Sequence, residues 1–310
     1  MDGGVTSQGG RAHDLRQWLR TWRPAAPPLP AELAATVTPA DPDWFARELA
    51  IAAAPPWWFW RLMLRVWSPP VAHLPGRLRV TGALPPELRD GPVLFAVNHI
   101  GDYDTLLVAA ALHSLGLAPR FLVTGGILDA PVVGPLLERS GGIRVERGTD
   151  VAAHAIRVTR TALAHGGHVV TYPEGRVGLA ADGWPERGRT GLARLALEAG
   201  VPVVPVSQWG AHEVLQYGND WGKLRTVLRA VVRRPALQVH IGPPVVLADL
   251  RLGRVGDAHR ARMRIAAAIT RGLVPLRADE PSDRIGFADP TRPTTATAAF
   301  PGGVVPDDVP

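Results

Sequence analysis

The feature that most constrains this chain is an alternation of short apolar runs with longer amphipathic segments between residues 78 and 273. The apolar runs are rich in Val, Leu and Ile, have the length of strands, and are bounded by Gly and Pro. We predict strands over 78–80, 93–97, 121–123, 143–145, 168–172, 203–206 and 237–241, and helices over 103–117, 132–139, 150–164, 190–199 and 258–273. Such alternation is typical of an α/β fold, here with a mixed, largely parallel sheet flanked by helices.

The two ends of the chain have a different composition from its middle. Residues 1–40 and 276–310 are rich in Gly, Pro, Ala and Thr and show no apolar period, so we predict that both are disordered. Residues 41–275 then form one globular domain, a size that a single hydrophobic core can support.

Residues 43–67 are unusually rich in tryptophan, since five of the ten Trp residues lie there and seven lie within the first 67 positions. A helix over 57–67 has Arg61 and Arg65 on one face. A second face is apolar and contains Trp57, Trp60, Leu64 and Trp67. Because Trp favours the membrane interface, we predict that residues 43–67 are amphipathic helices lying on a membrane. The alternative is a helix that packs on the protein's own core.

Composition excludes several classes of site. The chain has no cysteine, which excludes disulfides, thiolate metal sites and a Cys nucleophile. Its net charge is +6, and Lys223 is the only lysine, so almost all of the positive charge is Arg. The use of Arg suits phosphate binding or reflects the base composition of the genome. No apolar run reaches the ~20 residues needed to span a bilayer, and the start is not a signal peptide. We therefore expect a peripheral protein on the cytoplasmic face of the cell membrane, with no nucleic-acid partner.

The first block with chemical potential is Asn-His-Ile-Gly-Asp-Tyr-Asp at 98–104, between a predicted strand and a predicted helix. His99 is suited to proton transfer near neutral pH, and Asp104, five residues later, is able to fix its tautomer. Asp102 is a rival partner for His99. Alternatively, His99 is a structural histidine and Asp104 caps the helix.

Three further blocks follow. Gly-Gly-Ile-Arg-Val-Glu-Arg-Gly at 141–148 places Arg147 at a strand end, where its guanidinium fits a phosphate or is simply solvated. In Tyr-Pro-Glu-Gly-Arg at 172–176, Gly175 allows close approach of a ligand, Arg176 suits phosphate, and Glu174 orients that Arg or binds a hydroxyl. The apolar block at 200–206 is predicted to be a wall of an acyl groove.

These four blocks, in this order and spacing, resemble the glycerolipid acyltransferase family of the bacterial 1-acylglycerol-3-phosphate acyltransferase type. The resemblance implies that His99 is the general base on the acceptor hydroxyl and that Asp104 orients it. It also implies an acceptor site made of Asn98, Arg147, Glu174, Gly175 and Arg176. The chain departs from the family pattern where a Thr between Gly175 and Arg176 is missing, and where Gly101 replaces a common hydroxyl residue.

The resemblance implies transfer of a fatty acyl group from acyl-CoA or acyl carrier protein to a hydroxyl of lysophosphatidate or a related lysophospholipid, with no metal or bound cofactor. The expected route is direct attack by the acceptor, with backbone N–H groups near Gly175 stabilising the oxyanion. Two alternatives are a metal-dependent hydrolase with His99, Asp102 and Asp104 as ligands, and a non-catalytic lipid-binding protein of the same fold.

Overall fold

The computed structural model describes residues 22–145, 151–178, 180, 182–215, 220–278 and 298–309. Within these residues one sheet contains the strands β1 (Arg77–Gly82), β2 (Val93–Val97), β3 (Arg120–Thr124), β4 (Ile143–Val145), β5 (His168–Thr171), β6 (Val203–Trp209) and β7 (Ala236–Ile241). Their spatial order is β1-β7-β6-β2-β5-β3-β4. Neighbouring strands are parallel except β6 and β7, which are antiparallel. The predicted mixed, largely parallel sheet is confirmed.

Helices connect and cover these strands. They are α1 (Ala31–Ala34), α2 (Asp43–Ala53), α3 (Trp58–His73), α4 (Asp104–Ser114), α5 (Gly125–Leu128), α6 (Val133–Arg139), α7 (Val151–Ala164), α8 (Gly191–Ala199), α9 (Ala211–Val214), α10 (Asp220–Arg233) and α11 (Asp257–Leu273). Among the residues that the structure describes, no helix has both the length and the apolar character required to cross a bilayer.

The core lies on both faces of the sheet. Buried side chains of α2, α7, α8 and α11 form one apolar cluster, and those of α3, α4, α9 and α10 form the other. The central strands β2 and β6 are buried along their whole length, as expected for strands covered by helices on both sides. This burial explains why their sequences are nearly continuous apolar runs.

The structure differs from the prediction on the face of α3 that was expected to meet a membrane. Trp60 and Leu64 are 9% and 0% exposed and pack in the cluster against the sheet. The apolar side chains that α3 exposes lie on another stripe, where Trp58, Leu62 and Val66 are 68%, 42% and 60% exposed. The predicted contact face is therefore wrong, because α3 uses it to cover the core.

Parts of both ends contact the domain where the structure describes them. Nη2 of Arg157 donates to the carbonyl of Thr36 at 2.7 Å, which attaches the segment before α2 to α7. Near the other end, Phe300 is buried beside α11 against Ala266 and Ala267. Disorder was predicted from local composition, which carries no information about contacts with residues that are distant in the sequence.

The helix α10 is absent from the predicted elements. Leu224, Leu228 and Val231 have the spacing of one helix face, yet among the described side chains of α10 only Ala230 is buried.

Candidate active site

The strands β2 and β5 are neighbours and parallel, so the loops that follow them meet at one edge of the sheet. There, Nδ1 of His99 lies 2.7 Å from Oδ2 of Asp104, the first residue of α4. The same oxygen accepts the N–H groups of Ile100 and Gly101 at 2.6 and 3.0 Å. Because an ionised carboxylate only accepts hydrogen bonds, Nδ1 carries the proton and Nε2 presents a lone pair. The predicted pairing of His99 with Asp104 is present in the structure.

A tyrosine ring fixes the plane of the imidazole. The rings of His99 and Tyr172 stack with centroids 4.3 Å apart and an angle of 25°. The hydroxyl of Tyr172 lies 3.3 Å from Oγ1 of Thr105. Burial and the nearby Asp104 charge raise the pKa of Tyr172, so its phenol stays neutral. The sequence placed Tyr172 at the start of a block but gave no sign of this contact.

The side-chain carboxylate of Glu174 connects the two loops by accepting backbone N–H groups. Its Oε1 accepts the N–H of His99 at 2.9 Å, and its Oε2 accepts the N–H of Glu186 at 3.0 Å. Gly178 completes this connection by donating its N–H to the carbonyl of His99 at 2.7 Å. A Cβ at Gly178 would lie 2.6 Å from Oε2 of Glu174 and 3.1 Å from the carbonyl oxygen of His99, so a side chain there would displace the carboxylate. Burial raises the pKa of Glu174 to about 8, although the two N–H donors act in the opposite direction.

The other residues of that block have partners that differ from those expected. Arg176 pairs with Glu186, with Nη2 and Oε2 3.0 Å apart, rather than with Glu174. The N–H of Gly175 donates to the carbonyl of Tyr172 at 2.9 Å and closes a turn. The N–H of Gly175 itself is therefore engaged in the turn. Arg147 lies outside the described residues.

Asn98, directly after β2, connects the start of the loop to the neighbouring strand β6. Its Nδ2 donates to the carbonyl of Gln208 on β6 at 2.9 Å, and its Oδ1 accepts the N–H of the same residue at 2.8 Å. Only 1% of Asn98 is exposed. Its amide thus holds β2 and β6 together at the strand ends, a supporting position that differs from the expected contact with the acceptor.

Two positions between His99 and Asp104 also gain an explanation. A Cβ at Gly101 would lie 3.1 Å from the carbonyl oxygen of Leu215, so a residue larger than glycine would be crowded here. Oδ2 of Asp102 lies 2.7 Å from Nζ of Lys223. Asp102 therefore faces a cation rather than His99. The described part of the chain contains no group of three His, Asp or Glu side chains placed to hold a metal ion.

Two cavities adjoin the site, one on each face of the sheet. The larger, about 390 Å³, is almost wholly apolar and is formed by α3, α4, β3 and α6, with Thr105 in its wall. The smaller, about 240 Å³, lies between α7 and α8 and includes Tyr172 and Arg189 in its wall. Neither is lined by β6, so the block at 200–206 forms a central strand and not the expected wall of a groove.

Arg189 is a cation that the sequence analysis did not single out. Its backbone N–H donates to the carbonyl of Pro173 at 3.0 Å. Its side-chain Cδ lies 4.0 Å from the position that a Cβ on Gly175 would occupy. The side chain is exposed at the rim of the smaller cavity. Its place beside the Pro-Glu-Gly turn depends on a later loop that folds back, which no local pattern indicates.

Comparison with known proteins agrees with this architecture. A family model described as Acyltransferase matches residues 77–209. A lyso-ornithine lipid O-acyltransferase of Pseudomonas aeruginosa is 31% identical over 152 residues, which are 49% of this chain and 51% of that protein. An uncharacterized protein of Mycobacterium tuberculosis is 30% identical over 146 residues, 43% of this chain and 37% of the relative. The chain thus spans about half or less of the length of these curated relatives.

A more distant relative and a solved structure extend the comparison. A chloroplast 1-acyl-sn-glycerol-3-phosphate acyltransferase of Brassica napus is 24% identical over 147 residues, 47% of this chain and 41% of that protein. The crystal structure of the 1-acyl-sn-glycerophosphate acyltransferase PlsC from Thermotoga maritima superposes with a TM-score of 0.54 and 19% identity, over 71% of this chain and 81% of that one. This likeness shows a shared fold. The Acyltransferase family model covers both loops of the site, and together with the lyso-ornithine lipid O-acyltransferase relative it supports a relation to the glycerolipid acyltransferases.

Proposed function

We propose that this protein is an O-acyltransferase that moves a fatty acyl group from acyl-CoA or acyl carrier protein to a hydroxyl of lysophosphatidate or a related lysolipid. The observation that carries the proposal is the 2.7 Å contact between Nδ1 of His99 and Asp104 at the sheet edge, with a cavity on either side. The imidazole is partly exposed, with 19% of its side chain accessible, so a substrate hydroxyl is able to reach Nε2.

The proposed reaction needs one base and two adjacent substrates. Nε2 of His99 removes the proton of the acceptor hydroxyl while its oxygen attacks the thioester carbonyl. The C–S bond then breaks, and the leaving thiolate takes the proton back from the imidazolium. Asp104 and Tyr172 keep the ring in one tautomer and one plane throughout, so the base is oriented before the substrates arrive.

The larger cavity suits the acyl chain. Its wall is almost entirely apolar and includes Trp60, Phe121 and Leu137. Thr105, which directly follows Asp104 in the chain, also lines it, so the cavity begins beside the catalytic pair. An apolar pocket of this size, with polar groups only near the reacting atoms, is typical of a site for an extended hydrophobic ligand.

The smaller cavity suits the headgroup of the acceptor. The guanidinium of Arg189 lies at its rim, and Arg176 belongs to the same turn region. Val145 lines the cavity two positions before Arg147, which we propose also serves the acceptor. Arginine binds phosphate and carboxylate alike through its fork of N–H donors. One relative is named as a lyso-ornithine lipid O-acyltransferase. A lysolipid with an amino-acid headgroup is therefore a second acceptor to test beside lysophosphatidate.

We place the protein at the cytoplasmic face of the cell membrane, attached to its surface. The exposed apolar side chains of α3 are Trp58, Leu62 and Val66, and Arg61 and Arg65 lie beside them. Apolar residues next to cations are the composition of a helix that lies in the interface of an anionic bilayer.

The proposal is tested with purified full-length protein, labelled acyl-CoA and labelled acyl carrier protein, each against lysophosphatidate and lyso-ornithine lipid. We expect transfer with at least one pair, and His99→Ala should lower kcat by about 10²-fold or more with an unchanged circular dichroism spectrum. Lipid binding without transfer by any pair would favour a non-catalytic protein. Loss of activity on chelation, restored by a divalent ion, would favour the metal-dependent alternative.

A further inference from the structure

The helix α10 exposes an apolar stripe to solvent. Leu224, Leu228, Val231 and Val232 are 51%, 61%, 42% and 84% exposed. Their spacing of three and four residues places the first three on one face of the helix, and Val232 borders it. Isolated exposed apolar residues are normal on protein surfaces, but a continuous stripe along a helix indicates a surface that contacts something.

The stripe is bordered by positive charge. Arg225, Arg229 and Arg233 are spaced by four residues and are all exposed, which places them in a row beside the apolar side chains. From residue 222 to residue 233 the sequence contains four cations and no acid. This helix is therefore complementary to a surface that is apolar inside and negatively charged outside, as an anionic bilayer is.

The helices α10 and α3 cover the same face of the sheet. Ala230 of α10 packs in the same buried cluster as Trp60 and Leu64 of α3. Where the two helices end, Nη2 of Arg234 donates to the carbonyl of His73 at 2.9 Å. The exposed stripe of α10 and that of α3 thus belong to the same side of the molecule.

Both helices are attached to the catalytic loop. Nζ of Lys223 on α10 lies 2.7 Å from Oδ2 of Asp102, which lies between His99 and Asp104. The neighbouring Tyr103 donates its hydroxyl to the carbonyl of Val71 on α3 at 2.5 Å. A surface that both helices touch is consequently next to the loop that carries the base.

We propose that α10 is a second membrane-contacting helix, whose Leu224, Leu228 and Val232 enter the interface of an anionic phospholipid bilayer while Arg225, Arg229 and Arg233 contact its headgroups. The proposal deepens the proposed function, because it names the surface on which the lipid acceptor is presented to His99. The contact between Lys223 and Asp102 holds the catalytic loop at that surface.

The test measures sedimentation of the full-length protein with vesicles of phosphatidylcholine and phosphatidylglycerol in equal parts, with no acyl donor present. Vesicle binding is therefore measured independently of acyl transfer, so it still tests the proposal if the protein transfers no acyl group. The variant Leu224→Gln/Leu228→Gln/Val232→Thr should bind at least about tenfold more weakly, because polar side chains replace three exposed apolar ones that leave water on binding. Its Tm should stay that of the wild type, since these side chains are exposed in the folded protein.

The matched control changes three equally exposed apolar residues outside this face. Val246, Leu252 and Val255, in the segment after β7, are 69%, 46% and 93% exposed. Val246→Thr/Leu252→Gln/Val255→Thr should bind vesicles as the wild type does. A second variant, Arg225→Gln/Arg229→Gln, should lose binding to anionic vesicles and leave the weaker binding to pure phosphatidylcholine unchanged.

Three results would overturn the proposal. The first is equal vesicle binding by the α10 variant and the wild type, or an equal loss in the control. The second is an α10 variant that binds vesicles as the wild type does and loses turnover only when acyl carrier protein is the donor. That result would make α10 a docking site for an acidic protein. The third is a dimer in solution that the α10 variant converts to a monomer with vesicle binding unchanged.

Discussion

At the centre of the site, one imidazole is held by residues from two loops that are far apart in the sequence. Asp104 lies five positions from His99, whereas Tyr172 and Glu174 lie more than seventy positions away. The first contact was predicted from the His-x4-Asp block together with its resemblance to a family pattern, with Asp102 as the rival partner. The other two depend on the loops meeting at the ends of β2 and β5, which requires the sheet order. Local sequence therefore predicts the pairing of His99 with Asp104 but not the remaining contacts that orient the ring.

Arg189 allows a prediction about acceptor binding. Arg189→Gln should raise the KM for the acceptor by about tenfold to a hundredfold, the range expected for loss of a hydrogen bond to a charged group. The KM for the acyl donor should stay the same, because the side chain lies at the rim of the smaller cavity only. Steady-state kinetics with each substrate varied in turn separates the two constants.

Two further variants control this experiment. Arg187→Gln removes an exposed guanidinium two positions earlier that does not line the cavity, and it should leave both constants unchanged. Arg189→Lys keeps the charge but loses the fork of N–H donors, so it should lie between wild type and Arg189→Gln. An acceptor KM that is equal in Arg189→Gln and the wild type would remove Arg189 from the acceptor site.

At the scale of elements, the strands were predictable because each is an apolar run that fills a buried place in the sheet. The strand β2 illustrates this, since all of Val93–Val97 is buried. The faces of α3 were not assigned correctly, because Trp suits a bilayer interface and a protein core equally well. Only the position of the sheet decides which side of such a helix is buried.

The attachment of α2 to the sheet gives a prediction about pH. Glu48 of α2 is 5% exposed, and its Oε2 accepts the N–H of Arg144 on β4 at 3.4 Å. Burial, with a smaller contribution from the charge of Glu138, raises the pKa of Glu48 from 4.5 to about 8. Between these values the folded chain keeps a proton that the unfolded chain has released. The free energy of unfolding therefore falls as pH rises through this window, by up to about 1.4 kcal/mol per pH unit for one group.

Glu48→Gln should weaken this pH dependence, because an amide at this position carries no charge at any pH. Urea unfolding of the wild type and the variant, repeated across the window from 4.5 to about 8, measures the two slopes. The slope should not vanish in the variant, since Glu174 has a pKa raised to about 8 by burial and titrates in the same window. Identical slopes in the two proteins would show that Glu48 ionises without cost in the folded state.

At the scale of the whole molecule, the helices α3 and α10 and the loop between His99 and Asp104 are arranged around one side of the sheet. α3 and α10 both contribute to the cluster on that face, and Tyr103 and Asp102 attach the loop to them. A rigid arrangement of two weak contacts binds a surface more strongly than either contact alone, because the second contact forms within the first complex. We therefore expect the two helices to contribute independently to vesicle binding.

The combined variant Trp58→Gln/Leu62→Gln/Leu224→Gln/Leu228→Gln tests this arrangement. The fold losses in vesicle affinity of the α3 pair and the α10 pair should multiply in the combined variant, because the substituted side chains are all exposed and their free-energy changes add when sites are separate. Turnover of a short-chain acceptor that is soluble in water should remain that of the wild type, since none of the four residues lines either cavity. Vesicle sedimentation and solution kinetics on the same preparations give both quantities. A combined variant that binds no more weakly than one of its two parent pairs would mean that only one helix touches the bilayer, and that the shared face of α3 and α10 is not the face turned toward it.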